Sequence, residues 1–295
     1  MKKKVSEPYK GMNSKVGAFL VNRLLPVAGV RSVGPVFFLD HIYPVDLRNE
    51  NSPFPTGESA HPHRGISTFS YVLSGSLSHF DSKGNHDIID AGGIQWMKSG
   101  NGIIHDEKPF INKSETTIFH SLQFWILLPG EQKKQPAEYM ALQSDNVPEI
   151  ELPDHAGVLR LLLGNLGSFS SPVTTFSDEF IYHIKLNPNS QFTLLAKKGY
   201  ENAVFVPDRE VNVNGTAVGN SKLLLLEELE DAIVFENNTV HAADVFLFGG
   251  PPYEEPIIAE GPFVMNSYEE IATAYRDFFN GKYGEINYQQ PENLP

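Results

Sequence analysis

Glycine and proline divide this chain into many short apolar segments. The 24 glycines and 21 prolines are spread along all 295 residues and are not pooled in one region. Segments rich in aromatic and β-branched residues, bounded by such turn formers, are typical of β-strands. In the first half they are residues 34–40, 68–73, 93–97 and 122–128. Regular short strands of this kind predict an all-β barrel or sandwich.

The second half repeats the pattern after a polar interval at residues 129–148, within which residues 137–142 predict a short helix. Its candidate strands are residues 159–163, 180–186, 192–195, 202–206, 210–213, 223–226, 232–236 and 244–248. A chain of this length accommodates two domains of roughly 150 residues each. We therefore expect two related barrels, one formed by residues 1–135 and the other by residues 136–295.

A helix is predicted near the C-terminus, inside the second expected domain. Ser267 and Glu270 have the spacing of a capping box, in which each side chain accepts a hydrogen bond from an unpaired amide of the first turn. Apolar residues then follow at helical spacing: Ile271, Ala274, Tyr275 and Phe278. Gly281 suits the position that ends such a helix.

The charge and cysteine content exclude several classes of protein. The formal net charge is −13, whereas a nucleic-acid groove needs a basic stripe to neutralise phosphates. No cysteine is present, so disulfide scaffolds, iron–sulfur clusters and cysteine nucleophiles are impossible. No apolar run approaches the ~18 residues of a membrane span, and no apolar core of a signal peptide follows the first lysines. We expect a cytoplasmic protein without direct contact to nucleic acid or membrane.

Two pairs of potential metal ligands occur at a spacing of two residues. His61 and His63 form the first pair, and His105 and Glu107 form the second. Side chains two apart on a strand point to the same face, so each pair can point into a barrel. Three imidazoles and one carboxylate suit Fe, Mn, Ni, Cu or Zn, and not calcium or magnesium. Four protein ligands on an octahedral ion leave two positions open, and two adjacent open positions are what a bidentate substrate, or substrate plus dioxygen, requires.

Several longer motifs around these residues resemble the pirin family of tandem cupin proteins. In the first half they are HPHRG at 61–65, HFDSKG at 79–84, GGIQWM at 92–97 and GNGIIHDE at 100–107. Near the C-terminus GPFVMN at 261–266 and NGKYG at 280–284 resemble the same family. The similarity covers nearly the whole chain and is weakest in the second barrel.

This resemblance implies two jelly-roll barrels and one metal ion, usually iron, in the N-terminal barrel. The family's ligands correspond to His61, His63, His105 and Glu107. Many cupins carry a glutamate where this chain has Ser67, so the surroundings of its ligands differ from that pattern. The second barrel has no His-x-His pair, and we expect no metal there.

The resemblance also implies a choice of function, because some relatives are associated with quercetin 2,3-dioxygenase activity and some with transcriptional coregulation. The first hypothesis is an iron(II)-dependent dioxygenase of flavonol-like aromatics, with Glu107 as the catalytic base. The alternative is a non-enzymatic, redox-responsive regulatory protein that binds a protein partner. A metal-dependent isomerase or hydrolase is a weaker third hypothesis, because fold does not determine function.

Residues next to the four candidate ligands also carry expectations. Arg64 is expected to point away from the metal and to anchor a neighbouring carboxylate, and Asp106 to point away as well. Gln95 is interpreted as core packing, with a position facing the metal as the alternative. His79 is expected to be a surface residue or a hydrogen-bonded core residue.

Overall fold

Antiparallel β-strands form most of the chain, as the turn-punctuated apolar pattern predicts. The computed structural model describes residues 7–17, 19–27, 29–48, 54–110, 116–226 and 232–289. The first strands are β1 (Tyr9–Lys10), β2 (Met12–Val16), β3 (Phe19–Leu25), β4 (Val36–Asp46), β5 (His61–His63), β6 (Ile66–Ser74), β7 (Ser76–Asp81), β8 (His86–Asp90), β9 (Ile94–Lys98), β10 (Ile103–Phe110), β11 (Ile118–Leu127), β12 (Glu138–Leu142) and β13 (Glu149–Glu151).

The later elements continue this organisation and end in one α-helix. They are β14 (Gly157–Leu163), β15 (Asn165–Leu166), β16 (Phe169–Ser170), β17 (Phe180–Leu186), β18 (Ser190–Leu195), β19 (Glu201–Val206), β20 (Val211–Val213), β21 (Thr216–Val218), β22 (Lys222–Leu226), β23 (Ala232–Asn237), β24 (Ala243–Gly250), β25 (Ile258–Glu260), β26 (Phe263–Met265) and α1 (Tyr268–Phe279). Short 3-10 turns lie at Gln132–Lys134, Ser144–Asn146 and Pro153–His155. Two cupin domains with a C-terminal helix are therefore confirmed.

Two compact units divide the chain, and each is assembled from separate segments. Barrel A consists of the described parts of Lys15–Leu20, Ile42–Asn146 and Glu254–Pro295. Barrel B consists of the described parts of Met1–Ser14, Val21–His41 and Val147–Tyr253. The expected domains, 1–135 and 136–295, are each continuous, whereas these units are not. The helix near the C-terminus is grouped with barrel A, and the sequence boundary at residue 135 stays a prediction.

Barrel A is built from two sheets. One has the strand order β5-β10-β7-β8, and the other has the order β12-β9-β6-β11 and continues into the Ile42–Asp46 half of β4. Buried apolar side chains from both sheets form one cluster: Leu47, Val72, Leu77, Ile89 and Phe119. Burying an apolar side chain of this size contributes about 1.5–3 kcal/mol of transfer free energy. The hairpin strands of the first sheet are thereby held against the second sheet.

One element of barrel A differs from the expectation for its sequence. Residues 137–142 predict a short helix, but Glu138–Leu142 forms β12 and pairs antiparallel with β9. Tyr139, for example, lies opposite Met97. The free edge of β9 offers backbone hydrogen bonds to the whole segment, and such tertiary pairing outweighs a weak local preference for helix.

Barrel B repeats the two-sheet architecture. Its main sheet has the order β1-β22-β19-β24-β17-β14-β13, and the second sheet has the order β18-β23-β20-β21. Both sheets contribute buried side chains to one cluster, including Leu224 and Leu247 from the first and Val213 and Phe235 from the second. Barrel B therefore has an apolar interior, in agreement with the apolar strands of this half.

The helix α1 begins and ends close to the predicted residues. Ser267 is the N-cap, and its hydroxyl accepts a hydrogen bond from the Glu270 backbone amide at 3.2 Å. The Glu270 carboxylate accepts from the Asn266 amide at 2.9 Å, one residue earlier than a capping box requires. Ile271 and Ala274 are the buried residues of the predicted apolar face. Within the described part of the chain, no helix has the length and hydropathy of a membrane span.

Replacing the N-cap of α1 should destabilise barrel A. We expect Ser267→Ala to lower the free energy of unfolding by about 1 kcal/mol, because the Glu270 amide loses its acceptor. Urea denaturation followed by circular dichroism measures this loss. Ser267→Asp retains an acceptor at the N-cap and should stay close to wild type, so equal destabilisation by both substitutions would contradict the capping role.

Candidate metal centre

Pairing of β5 with β10 places three imidazoles on one face of a sheet. His61 lies directly opposite His105, and His63 lies opposite Ile103, two residues along. The Nε2 atoms of His61 and His63 are 3.0 Å apart, and those of His61 and His105 are 3.1 Å apart. With metal–nitrogen bonds of about 2.0–2.1 Å, two ligands at a right angle are about 3.0 Å apart. The spacing of the three nitrogens is therefore that of one coordination sphere.

Hydrogen bonds at the Nδ1 atoms determine the tautomers of His61 and His63, and therefore which ring nitrogen can bind a metal. The Nδ1–H group of His61 donates to the Ser59 carbonyl at 2.7 Å, and that of His63 donates to the Pro262 carbonyl at 3.1 Å. In the neutral rings, both Nε2 atoms must then carry a lone pair. Two lone pairs at this distance repel each other unless a cation lies between them. Donation of the second ring N–H to a carbonyl is also the usual arrangement of metal-bound histidines.

Burial keeps two of these rings neutral. Desolvation, with a smaller contribution from the neighbouring His61, lowers the pKa of His63 to about 3. Burial also lowers the pKa of His105 well below its ordinary value. Metal binding requires the neutral imidazole, so neither ring has to lose a proton first at neutral pH. His61 is exposed, which gives this group of nitrogens one side open to solvent.

The predicted fourth ligand lies beside the three histidines and is held by two amides. The Glu107 Oε1 atom accepts from Gln95 Nε2 at 2.7 Å, and the Oε2 atom accepts from Gln123 Nε2 at 2.9 Å. The Oε1 atom is 3.7 Å from His105 Nδ1. The ligand atoms of Glu107, His79 and His105 all lie within 4.8 Å of one another, as do those of His61, His63 and His105. Glu107 does not meet this distance criterion together with the His61–His63–His105 triplet. Coordination by Glu107 therefore stays a prediction.

His79, His105 and Glu107 form a second group of potential metal ligands, but His79 is held by other partners. Its Nε2 atom faces Asp81 Oδ2 at 3.2 Å, and its Nδ1 atom faces Gln95 Nε2 at 2.6 Å. Both ring nitrogens are therefore engaged. Burial opposes protonation of His79, but hydrogen bonds to Asp81 and the nearby Glu107 outweigh it and raise the pKa of the ring. The expectation of a hydrogen-bonded core histidine is confirmed.

The segment after β5 packs closely against the C-terminal part of barrel A and is bonded to it. Gly65 has a φ of +86°, and a Cβ atom there would lie 2.0 Å from the Val264 carbonyl oxygen, so only glycine fits. Arg64 points away from the histidines and forms an ion pair with Asp277 of α1 at 2.9 Å, as expected. The Arg64 carbonyl accepts from the Val264 amide at 3.1 Å. These contacts explain the HPHRG motif and position the Pro262 carbonyl beside His63.

Sequence reasoning interpreted Gln95 mainly as core packing and did not identify Gln123. Both lie in otherwise apolar strands, and both are paired with Ser70 of β6, one from each side. The Gln95–Ser70–Gln123 row therefore crosses one sheet and faces the carboxylate on the other. Isolated glutamines in buried apolar strands are the signal in the sequence, but only the strand register shows that they converge.

The histidines of the second half have other surroundings. His183 is buried, its Nε2–H group donates a hydrogen bond to Asp244 at 2.7 Å, and its ring stacks on Phe246. His241 is exposed in a turn. Among the residues that the structure describes, the groups of three potential metal ligands all lie in barrel A.

Loss of one converging imidazole should abolish metal retention. We expect the wild-type protein to bind a stoichiometric transition-metal ion and His63→Ala to bind it more than about 100-fold more weakly, since even outer-shell substitutions cost about 10–100-fold. Anaerobic titration and elemental analysis of the dialysed protein measure this difference. The matched control is His241→Ala, and equal metal content in the two variants would disprove the site.

Comparison with known proteins agrees with this fold. The model of the Pirin family matches residues 18–126, and the model of the Pirin C-terminal cupin domain matches residues 181–284. Pirin from Homo sapiens is 32% identical over 237 residues, which are 78% of this chain and 79% of the human protein.

Solved structures show the same relationship. The crystal structure of quercetin 2,3-dioxygenase from Acinetobacter baumannii is 30% identical, covers 97% of this chain and 100% of that chain, and superposes with a TM-score of 0.87. A bacterial pirin from Escherichia coli, solved in complex with nickel(II), shares the fold at 20% identity with a TM-score of 0.64, over 83% of this chain and 100% of that chain. The chain therefore belongs to the pirin family.

Proposed function

We propose that this protein binds one transition-metal ion at His61, His63 and His105, with Glu107 as the fourth donor, and oxidises flavonol-like aromatics with dioxygen. The observation that carries the metal site is the position of His61 Nε2, 3.0 Å from His63 Nε2 and 3.1 Å from His105 Nε2, with two of the rings tied through Nδ1–H to backbone carbonyls. The similarity to a quercetin 2,3-dioxygenase over nearly the whole chain supports the reaction class.

Iron(II) is our first choice for the metal. Nitrogen and carboxylate donors without thiolates suit Fe, Mn, Ni, Cu and Zn, and affinity alone favours copper among these ions. The nickel(II) complex of the Escherichia coli pirin keeps nickel among the candidates. Availability of the metal and open coordination positions for dioxygen favour iron for oxidative chemistry.

A bound metal would act as a Lewis acid and as a template for the substrate's hydroxyl and adjacent carbonyl. The protein's own contribution begins with Glu107, the candidate base for the hydroxyl proton. Each Glu107 oxygen accepts one amide hydrogen bond, and a carboxylate oxygen has two lone pairs. One lone pair per oxygen therefore remains for the metal or for the proton. The exposed His61 marks the side from which a substrate enters.

The second candidate function is a metal-responsive protein that binds a protein partner without turnover. It is favoured by the burial of His63 and His105, which leaves the ligand group accessible on the His61 side alone. A change from iron(II) to iron(III) adds one charge at this site, and such a change can bias a neighbouring surface. The net charge of −13 suits a basic protein surface as partner better than nucleic acid.

Oxygen consumption with quercetin tests the first function. We expect the iron-loaded wild type to consume dioxygen with quercetin, and Glu107→Gln to lower kcat by about 10²–10⁴-fold, because the amide cannot take the hydroxyl proton. His61→Ala should lose activity together with metal. The control, His241→Ala, should match the wild type.

Two results would reject the enzymatic proposal. One is wild-type protein with a full metal complement that leaves quercetin unchanged. The other is turnover that persists in Glu107→Gln and His61→Ala. Retention of a partner from solution by the iron(II) form and not the iron(III) form would then favour the regulatory function.

A further inference from the structure

The carboxylate of Glu107 accepts hydrogen bonds from two strands of the facing sheet. Gln95 of β9 reaches one oxygen and Gln123 of β11 reaches the other, at 2.7 Å and 2.9 Å. Ser70 of β6 lies between the two glutamines in the sheet and is 3.5 Å from Gln123 Nε2. The Gln95–Ser70–Gln123 row thus spans one sheet and meets Glu107 on the facing sheet.

The orientation of the Gln95 amide is imposed from its other side. The Asp81 carboxylate can only accept from His79 Nε2–H, because three further donors reach the same carboxylate from Lys83 and Asn85. Since Gln95 Nε2 also donates to the Glu107 carboxylate, the His79 Nδ1 atom that lies 2.6 Å from the same nitrogen must present a lone pair to it. Gln95 must therefore donate an N–H group to this lone pair.

The same Nε2 atom of Gln95 serves both neighbours. One of its hydrogens goes to His79 Nδ1 and the other to Glu107 Oε1. The Oε1 atom of Gln95 is buried and has no hydrogen-bond partner among the described residues. A buried amide oxygen without a partner is unfavourable, so stability alone does not explain this side chain. The arrangement is consistent with a requirement for two N–H donors at this position.

We propose that Gln95 is a positioning residue for Glu107, oriented by the Asp81–His79 pair and assisted by Gln123. This inference rests on the proposed metal site and identifies what sets its fourth donor. The turn after β7 orients His79, His79 orients the Gln95 amide, and the amide holds the carboxylate beside His105. Without Gln95, the carboxylate loses a donor and rotates away from the position in which it can bind a metal.

A double-mutant cycle with cobalt(II) tests this proposal without relying on turnover. Cobalt(II) is added to purified protein, and both Kd and the visible absorption, which reports coordination number, are measured. Gln95→Met keeps the length of the side chain and removes both N–H donors. We expect it to weaken cobalt binding by about 10–100-fold and to give the absorption spectrum of Glu107→Ala. In the Glu107→Ala background, the same substitution should change Kd by less than about twofold.

Two further variants complete the design. Gln123→Met removes the donor to the other carboxylate oxygen and should show the same dependence on Glu107. Gln143→Leu is the matched control, because Gln143 bonds the backbone of β8 and not Glu107, and it should leave Kd and spectrum unchanged. Thermal unfolding of every variant confirms that the comparison is made on folded protein.

The outcomes separate this inference from the proposed activity. An unchanged Kd and spectrum in both glutamine variants would overturn it, and so would an equal loss of affinity with and without Glu107. Absence of cobalt binding by the wild type would overturn both the metal site and the inference. If the effect of Gln95→Met on cobalt binding depends on Glu107 as expected, but the protein does not oxidise quercetin, Gln95 is still a positioning residue. Only the proposed dioxygenase activity is then rejected.

Discussion

Antiparallel pairing of β5 with β10 is the contact on which the candidate metal centre depends. It brings His61 opposite His105, although 44 positions separate them in the chain. A shift of one residue in this register would turn one set of side chains to the opposite face. Because β5 has only three residues, its own ladder is too short to define the register. The Gly65 contact with Val264, immediately after β5, supplies the additional restraint.

The C-terminal segment therefore contributes to the candidate metal site of barrel A. It supplies the Pro262 carbonyl that selects the tautomer of His63, and Asp277 of α1 pairs with Arg64. Tyr283 packs against Gly102, where a Cβ atom would lie 2.1 Å from the ring. A fragment that stopped at residue 135 would contain all four predicted ligands and would lack the group that orients His63.

Much of the candidate site follows from local periodicity. A spacing of two residues on a strand places His61 with His63, and His105 with Glu107, on common faces. The amphipathic pattern and N-cap of α1 are equally local. The hydrogen-bond partners of Glu107 are different, because Gln95 and Gln123 lie on separate strands that are brought together only by the pairing of β9 and β11 with β6. The strand at residues 138–142 was mispredicted as a helix for the same reason, since the edge of β9 decides its conformation.

The sequence by itself determined the all-β class, the absence of thiolate chemistry and the identity of the candidate nitrogen and oxygen donors, because residue type and spacing are local properties of the chain. Tertiary structure alone decided that three Nε2 atoms meet, that Glu107 is held by two amides, and that His79 is engaged on both nitrogens. Each of these depends on which distant group occupies a hydrogen-bonding position. Such pairing is set by strand register and sheet packing, which residue spacing within one strand does not specify.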